Sequence, residues 1–413
     1  MDFNDTTEEA SFRAEARSWL EANASRRTHP NQTWASTLTD KSSASIVRLA
    51  KEYQQKKHAG GWACLHWPRE FGGRGASPIE RVIWGEEESR YLVPSGVFDI
   101  GQGMAGPVLM QYASAEQKQR YLPPMANGEE IWCQLFSEAS AGSDLAGLRM
   151  KATRDGDDWI LNGEKIWTSG AHYCDYGIIV ARSDVDAAKH RGLTFFFLDM
   201  KSAGVEIRPI KQITGGSNFN TVVFNDVRVP DAQRLGEIGG GWGVALTTLM
   251  NERVSVGDAP GPNLDQAVAL ASNIELNGQA AIKNQAIRSQ LAKWHCETAG
   301  LKYTKYRSIS ALSRGETPGP ENSITKLVGA TKAQEIASFG LDLMDAAGIV
   351  ADEALVESDA RFQLAFLSSP AMRIAGGTDE VLRNIIAERV LGLPQEPRVD
   401  KGMSFKDIPS GTA

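Results

Sequence analysis

The sequence predicts an α+β protein that is mostly helical, with one β-rich segment between two helical ones. Three changes in hydrophobic spacing lead to this prediction. Apolar residues recur at helical spacing up to about residue 130, alternate with a period of two to about residue 236, and return to helical spacing up to Leu391. The expected parts are an N-terminal α-helical domain, a middle β-domain, a C-terminal helical bundle and a tail, at residues 1–130, 131–238, 239–394 and 395–413.

The N-terminal segment contains amphipathic helices. One apolar face is formed by Phe12, Ala16, Trp19 and Leu20. A second helical stretch covers Ile46–Tyr53. Ser114 precedes an Ala-Glu-Gln-Lys sequence and has the side chain of a helix N-cap, so we expect a helix to begin there.

Short strands with tight turns characterise the middle segment. The predicted strands are Leu148–Arg154, Trp159–Leu161, Tyr176–Ala181, Leu193–Asp199, Val205–Ile210 and Thr221–Val229. The residues at 155–158 (Asp-Gly-Asp-Asp) predict a turn, and Asn162-Gly163 predicts a second one. Several such strands in about a hundred residues indicate a small antiparallel barrel or sandwich.

Long helices with few breakers dominate the C-terminal segment. They are predicted at Val244–Ala271, Asn284–Leu312, Ser323–Met344 and Thr378–Leu391, which indicates a helical bundle. Residues 315–320 are expected to form a loop, and the chain from Pro394 onward a loose tail.

The composition argues against several classes of function. A net charge of −7 disfavours nucleic acid as a partner, because phosphate binding needs a basic surface. The four cysteines are widely spaced and the six histidines dispersed, so we expect reduced, packed thiols and no metal site. The acidic N-terminus does not resemble a signal peptide, and no apolar run is long enough for a transmembrane segment. These features are typical of a cytoplasmic protein.

Two polar segments indicate a cofactor site. The first runs from Gln134 to Asp144 and the second from Asn162 to Gly170, each at a predicted strand end. Hydroxyls and closely approaching amides suit a polar heteroaromatic edge and a diphosphate, while the indole of Trp167 can cover a flat ring. The alternative is that both are ordinary hairpin ends, since Ser, Gly and Asn are common turn residues. Together the segments favour a flavin site and redox chemistry.

A series of motifs in consistent order resembles the acyl-CoA dehydrogenase family over nearly the whole chain. They are Phe71-Gly-Gly73 with Gly75, Glu116-Gln-Lys118, Tyr121-Leu-Pro123, Ser137-Glu138, Ala141-Gly-Ser-Asp144, the Trp167 segment, Val227-Arg-Val-Pro230, Gly239–Gly243, Glu252-Arg253 and Gly376–Arg389. The resemblance implies an N-terminal helical domain, a central antiparallel β-barrel and a C-terminal four-helix bundle. It also implies FAD, an acyl-CoA substrate, electron-transfer flavoprotein as acceptor, and a dimer or tetramer.

The family removes an α-proton from an acyl-CoA thioester while the β-hydride passes to the flavin. A weakly acidic α-proton requires a carboxylate base, and the developing enolate requires donors at the carbonyl oxygen. Medium- and short-chain members carry the base at the position that is Gly376 here. Isovaleryl- and long-chain-type members carry it directly before an Arg, which matches Glu252. The resemblance therefore implies Glu252 as the base, with the Gly376 amide as a donor to the thioester oxygen. The alternative is an ordinary surface glutamate.

Further residues take roles from the resemblance. Gln134, Phe136 and Ser137 would line the polar edge of the flavin, Trp167 would cover the ring and Ser169 would bond near its reactive nitrogen. Ser143 would reach the diphosphate of FAD or the CoA portion of the substrate. Thr378 and Glu380 would approach FAD, and Arg253 would approach CoA or anchor its helix.

The chain departs from the family pattern where neighbouring subunits normally complete the FAD site. The expected Arg aligns with Glu275, and the expected Gln and Gly-Gly turn align with Asp342 and Asp345-Ala346. This resembles a bacterial subgroup that includes hetero-tetramers of paired paralogues. Two alternatives therefore stay open: a subunit that needs a paralogous partner, and a flavin oxidase or monooxygenase on the same fold. The acyl group is also open, whether branched, long or bulky and polycyclic.

Overall fold

The computed structural model describes residues 5–28, 32–255, 261–314, 319–352, 355, 360–398 and 400–409. The chain forms two compact units. The first comprises Met1–Gln212, Gly216–Ser255 and Pro397–Ala413, and the second comprises Ile213–Gly215 and Val256–Glu396. The helical, β-rich and helical order predicted from the sequence is confirmed.

The first unit begins with a set of helices. These are α1 (Thr7–Asn23), α2 (Ser43–Ala59), α3 (Pro78–Glu88), α4 (Gly106–Tyr112) and α5 (Ala115–Ala126). The predicted apolar face of α1 is buried at Phe12, Ala16 and Leu20. Ser114 caps α5 as predicted, accepting a hydrogen bond from the Gln117 N–H while the Gln117 side chain accepts from the Ser114 N–H.

The strands of the first unit form a small ribbon and a large sheet. They are β1 (Ser25–Arg26), β2 (Tyr91–Leu92), β3 (Trp132–Leu135), β4 (Lys151–Asp155), β5 (Asp158–Ser169), β6 (Tyr176–Arg182), β7 (Leu193–Asp199), β8 (Val205–Ile210), β9 (Phe219–Pro230) and β10 (Arg234–Leu235). The large sheet has the order β10-β7-β6-β4-β5-β9-β8, with β3 paired to β6. Its pairs are antiparallel except for β3 with β6 and β4 with β6.

The strand β7 is buried on both faces of the sheet. Phe195 and Phe197 pack into one hydrophobic cluster together with α4 and α5. Phe196 and Leu198 pack on the opposite face, against the side chains of β5 and β9. An apolar strand without polar alternation fits this position between two layers.

One of the two predicted hairpin turns is wrong. The Asp155–Asp158 turn is confirmed, since Asp155 pairs with Asp158 across β4 and β5. Gly163, in contrast, lies inside β5 at a shift of register against β9, with φ +144°. A Cβ at this position would lie 2.9–3.1 Å from Met150, so the glycine permits a β-bulge and a close approach of the residue that precedes β4.

Helices form most of the second unit. After α6 (Gly241–Ser255), which belongs to the first unit, come α7 (Leu264–Asn273), the hairpin β11 (Glu275–Leu276) and β12 (Gln279–Ala280), α8 (Gln285–Ser313), α9 (Asn322–Met344), α10 (Arg361–Met372) and α11 (Asp379–Ile385). A π-turn at Ile386–Val390 continues α11. The helices α7 to α10 share one core that contains Trp294, Ile336 and Phe362.

Two predictions for this part of the chain need correction. The single helix expected from Val244 to Ala271 is two helices, because Asn263 caps α7 and accepts from the Gln266 N–H. Helix α10 was not predicted at all. The loop expected at 315–320 lies largely outside the described residues.

The C-terminal tail is packed in its later part: residues 394–398 are exposed and irregular, whereas the segment around Phe405 is packed. Phe405 is buried, and its N–H donates to the carbonyl of Ala187. Ser404 forms a β-bridge with Ala188. The tail therefore belongs to the first unit, where it covers the segment between β6 and β7.

Cysteine, metal and membrane features can be stated for the described part of the chain. Cys64, Cys133 and Cys174 are buried and Cys296 is exposed, all as free thiols. Among the described residues no cluster of His, Cys, Asp and Glu could hold a metal ion. Nor does any helix within these ranges have the length and apolar character needed to cross a membrane.

Candidate functional site

A buried ion pair joins the two polar segments. Lys165 on β5 places its Nζ 2.9 Å from Oε1 of Glu138, which follows β3. The same Nζ donates to the carbonyl of Phe136 at 2.9 Å. The Ile166 N–H donates to the carbonyl of Ser137 at 2.8 Å. Segments that are far apart in sequence are thus fixed side by side.

The Glu138 carboxylate also organises the backbone of β4. It accepts hydrogen bonds from the N–H groups of Arg149, at 2.7 Å, and Met150, at 3.0 Å. Burial lowers the pKa of Lys165, and the attraction of Glu138 opposes part of this shift. A buried charge with several partners of this kind specifies a single local arrangement.

Four polar side chains of the two polar segments lack a hydrogen-bond partner among the described residues. They are the amide of Gln134 and the hydroxyls of Ser137, Ser143 and Ser169, none of which makes a hydrogen bond within the described chain. Gln134, Ser137 and Ser169 are half-buried, while Ser143 is exposed. Phe136 is buried and packs edge-on against Phe195, with 5.7 Å between the ring centroids. Because the ring is buried, Phe136 can contact a ligand only through its backbone.

Trp167 is an exposed aromatic on a strained backbone. Its φ is +61°, at a shift of register between Lys165 and Thr168, and 56% of the residue is exposed. A large side chain in the left-handed region costs about 1–2 kcal/mol. Its ring touches Phe219 edge-on at 6.3 Å between centroids. The next residue, Thr168, has a buried hydroxyl that lacks a hydrogen-bond partner among the described residues.

The turn after Glu138 ends at Ser143 and Asp144. Two backbone hydrogen bonds between Glu138 and Ala141 close it around Ala139-Ser140, at 3.1 and 3.0 Å. The residues from Gly142 to Asp144 are exposed, and Asp144 pairs with Lys189 at 2.6 Å. The sequence interpretation missed Lys189.

In the second unit, a glycine pair precedes α11. Gly376 has φ +66° and Gly377 has φ +98°, conformations that side-chain-bearing residues rarely adopt. Lys326 donates to the carbonyl of Gly377 at 2.6 Å. No acceptor for the Gly376 N–H is found within the described ranges. This amide is thus a candidate donor to a ligand.

The remaining candidates of this unit begin α11. Thr378 is its N-cap, and the Thr378 hydroxyl accepts from the Val381 N–H at 3.3 Å. The Glu380 side chain is 78% exposed, with Arg383 at 4.0 Å. Asp379 is buried and accepts from Arg373 at 2.7 Å, which fixes the helix start. Sequence reasoning missed Arg373 and the role of Lys326.

The side chains of Glu252 and Arg253 lie outside the described residues. Both residues belong to α6. Their assignment as base and substrate contact stays a prediction.

The donor set of the first unit fits a flavin. Half-buried hydroxyls and an amide without protein partners suit the polar edge of an isoalloxazine ring, and an exposed indole suits its flat face. The sequence contained one unused signal for the buried pair. Along β5, Lys165 falls on the buried face together with Trp159 and Leu161, and a lysine at such a position needs a buried partner.

Family matches cover almost the entire chain. They are the acyl-CoA dehydrogenase N-terminal domain at residues 6–129, the middle domain at 133–227 and the C-terminal domain at 239–391. Acyl-CoA dehydrogenase FadE34 of Mycobacterium tuberculosis is 37% identical over 355 residues, covering 85% of this chain and 48% of FadE34. The chain thus spans about half the length of FadE34. Acyl-CoA dehydrogenase IpdE1 of the same organism is 36% identical, covering 84% of this chain and 89% of IpdE1.

Solved structures agree with these matches. The ChsE4-ChsE5 complex of Mycobacterium tuberculosis has a TM-score of 0.75 at 27% identity, covering 96% of this chain and 100% of that one. A structure described as the Tcur3481-Tcur3483 steroid ACAD has a TM-score of 0.75 at 25% identity, with the same coverage. With its polar strand ends, exposed indole and three matched domains, the chain belongs to the acyl-CoA dehydrogenase family, a family of flavin-dependent oxidoreductases.

Proposed function

We propose that the protein catalyses the FAD-dependent α,β-dehydrogenation of an acyl-CoA thioester. The observation that carries the proposal is the pair of strand ends that Glu138 and Lys165 hold together. In the described chain the amide and hydroxyls of these strand ends make no hydrogen bond, and the Trp167 indole is exposed. Family membership supplies the reaction class.

The residues of the β-domain hold and orient the cofactor. Gln134 and Ser137 hydrogen-bond the polar edge of the flavin, and Phe136 contributes its backbone. Trp167 covers the ring, and Ser169 bonds near its reactive nitrogen. When bound, FAD supplies the acceptor for the β-hydride.

Residues of the helical part act on the substrate and complete cofactor binding. Glu252 accepts the α-proton, because removal of a weakly acidic proton requires a carboxylate base at working pH. The Gly376 N–H donates to the thioester oxygen, where negative charge develops. Ser143 contacts the diphosphate of FAD or the CoA portion of the substrate. Arg253 contacts the CoA portion or anchors its helix, while Thr378 and Glu380 approach FAD.

The test is anaerobic reduction of the purified flavoprotein by a panel of branched, long and polycyclic acyl-CoAs. Wild-type protein should lose its yellow colour with at least one of them. Glu252→Gln should keep its flavin and bleach about a thousandfold more slowly or worse, since the general base is removed. Glu129→Gln, at an exposed turn, is the control and should match the wild type. Flavin that no acyl-CoA bleaches, but that turns over with oxygen and another substrate, would indicate an oxidase or monooxygenase.

A two-chain enzyme is the second candidate. Both structural relatives named above are described as pairs of chains, and one of them as a steroid ACAD. Glu275, Asp342 and Asp345 stand where the family pattern has the residues that complete a neighbour's FAD site. A hetero-tetramer with a paralogue would bind flavin fully only after co-expression with that partner. A homodimer or homotetramer would hold a full complement of FAD when purified alone, which size-exclusion chromatography and the flavin-to-protein ratio can distinguish.

The same assays address the remaining proposals. Bulky polycyclic acyl-CoA is the substrate class suggested by the steroid ACAD. Electron-transfer flavoprotein is proposed as the physiological acceptor, to be tested by its reduction in a coupled assay. A cytoplasmic location stays a prediction.

A further inference from the structure

The C-terminal segment lies next to the Ser143–Asp144 turn. Lys189, between β6 and β7, places its Nζ 2.6 Å from Asp144 and 3.2 Å from Asp400 of the tail. The side chain of Lys189 is 12% exposed and that of Asp400 is 17% exposed, whereas that of Asp144 is 63% exposed. Asp400 of the tail therefore contacts Lys189 on its buried side, and Lys189 in turn contacts Asp144 of the exposed turn.

A second contact fixes the tail at this place. The Arg182 guanidinium lies 3.6 Å from the ring centroid of buried Phe405. Arg182 also donates to the carbonyls of Lys189 and Ala146, both at 2.6 Å. One arginine thus joins the tail, the lysine-bearing loop and the chain that follows Asp144. Movement of any one of these three segments disturbs the other two.

Asp400 has a second cationic partner. Arg398 pairs with Asp400 at 3.3 Å. Lys189 is already shared by two carboxylates, which makes it a positioning residue and not a free cation for a ligand. Its ion pair also neutralises Asp144, whose charge would otherwise repel an anion at the turn.

The turn itself offers donors for an anion. Neither the hydroxyl of Ser143 nor the N–H groups of Gly142 and Ser143 have an acceptor in the described part of the chain. Unpaired N–H groups at an exposed turn are donors that phosphate oxygens can accept from. Such a site works only if the turn keeps its shape.

We propose that the C-terminal segment is a positioning element of the substrate and cofactor site: Asp400 holds Lys189 against Asp144 and thereby keeps the Gly142–Asp144 turn in shape to bind a diphosphate. This rests on the proposed function, in which Ser143 meets a diphosphate. Coenzyme A and FAD share that group, so the shared chemistry defines the ligand and the experiment separates the two sources.

The test is a double variant, Arg398→Gln with Asp400→Asn, which removes one charge of each sign and keeps the net charge. Calorimetry on the flavin-bound protein gives the Kd of coenzyme A and of pantetheine, which lacks the diphosphate. Flavin fluorescence on dilution gives the Kd of FAD. Loosening one positioning contact should weaken binding of the diphosphate ligand about tenfold.

The outcomes are separable. Weaker coenzyme A binding with unchanged pantetheine and FAD binding supports the inference and identifies the CoA diphosphate. Weaker FAD binding alone supports it with the FAD diphosphate. Unchanged or tighter binding of both, or equal weakening of pantetheine, overturns it. If the wild type binds neither coenzyme A nor FAD, both the inference and the proposed function fail. A binding defect seen only in the variant leaves the proposed function intact.

Two controls separate positioning from stability. Lys406→Gln with Asp407→Asn changes the same segment and keeps its net charge. Lys406 pairs with Asp186 and Asp407 with Ser404, so Lys189 keeps its partners. This variant should bind all three ligands as the wild type does. Lys189→Arg should also retain binding, while Lys189→Met should lose at least as much as the double variant at a similar Tm.

Discussion

Lys165 Nζ and Glu138 Oε1 lie 2.9 Å apart, with the lysine fully buried in the core of the β-domain. The pair connects the end of β3 to β5, the two elements whose polar residues the sequence assigns to a flavin. Because a buried charge needs its partners, the two strand ends keep one relative position as long as the pair is intact.

Breaking the pair should destabilise the protein strongly. Lys165→Met leaves the Glu138 carboxylate buried without its cation and is expected to lower the free energy of unfolding by about 3–5 kcal/mol. Urea denaturation followed by fluorescence measures this loss. Lys151→Met, at an exposed position on neighbouring β4, is the control and should stay within about 0.5 kcal/mol. Equal stability of the two variants would contradict the role of the pair.

Asp231 should contribute stability that depends on pH. Hydrogen bonds from Arg234 and from the Trp159 indole lower its pKa from 3.8 to about 2. Since the folded pKa is below the unfolded one, the stabilisation is complete above about pH 4 and is lost as pH falls through about 2. Solvent screening of this quarter-exposed carboxylate limits it to about 1 kcal/mol.

The measurement for Asp231 compares urea unfolding of the wild type and Asp231→Asn from pH 7 to pH 2. The difference should be about 1 kcal/mol at pH 7 and should shrink towards zero at the acid end. Asp157→Asn, at an exposed turn position, should show no such trend. A difference that stays constant down to pH 2 would refute the explanation.

Trp167 should show opposite effects on stability and on cofactor binding. Trp167→Gly relieves the left-handed backbone strain, so the flavin-free protein should become about 1 kcal/mol more stable. Loss of the indole should at the same time weaken FAD binding about tenfold. Calorimetry of the flavin-free protein and FAD titration give the two quantities. Ile238→Ala, another exposed apolar position, should leave FAD binding unchanged, and unchanged binding in Trp167→Gly would remove this residue from the site.

Phe405 should anchor the tail to the β-domain. Phe405→Ala removes a buried ring that lies on Arg182 and is expected to cost about 3 kcal/mol, seen as a lower Tm or as local detachment. Limited proteolysis should then cleave near residue 400 faster than in the wild type. Phe366→Ala, at a 44% exposed ring, is the matched control. Proteolysis at the wild-type rate would show that other contacts hold the tail.

The sequence predicted elements best where one local pattern decided them. The strands β7 and β8 begin and end at the predicted residues, because continuous apolar character and clean alternation both mark strands. It failed at Gly163, where the Asn-Gly pair predicted a turn. The structure has a β-bulge there, which allows the close packing of Met150. It failed again for the tail, because a segment rich in polar residues gives no local sign that its one phenylalanine will be buried.

The candidate site also combines features that the sequence predicts with features that only the folded structure shows. The sequence by itself determined which residue types are available at the candidate site: the hydroxyls and amide of the strand ends, Trp167, and the glycine pair before α11. Only the tertiary structure decided which charges meet, namely Lys165 with Glu138 and Lys189 with Asp144 and Asp400. The physical reason is that residue type and spacing are local properties, whereas an ion pair between distant segments exists only after burial brings them together and makes an unpaired charge too costly.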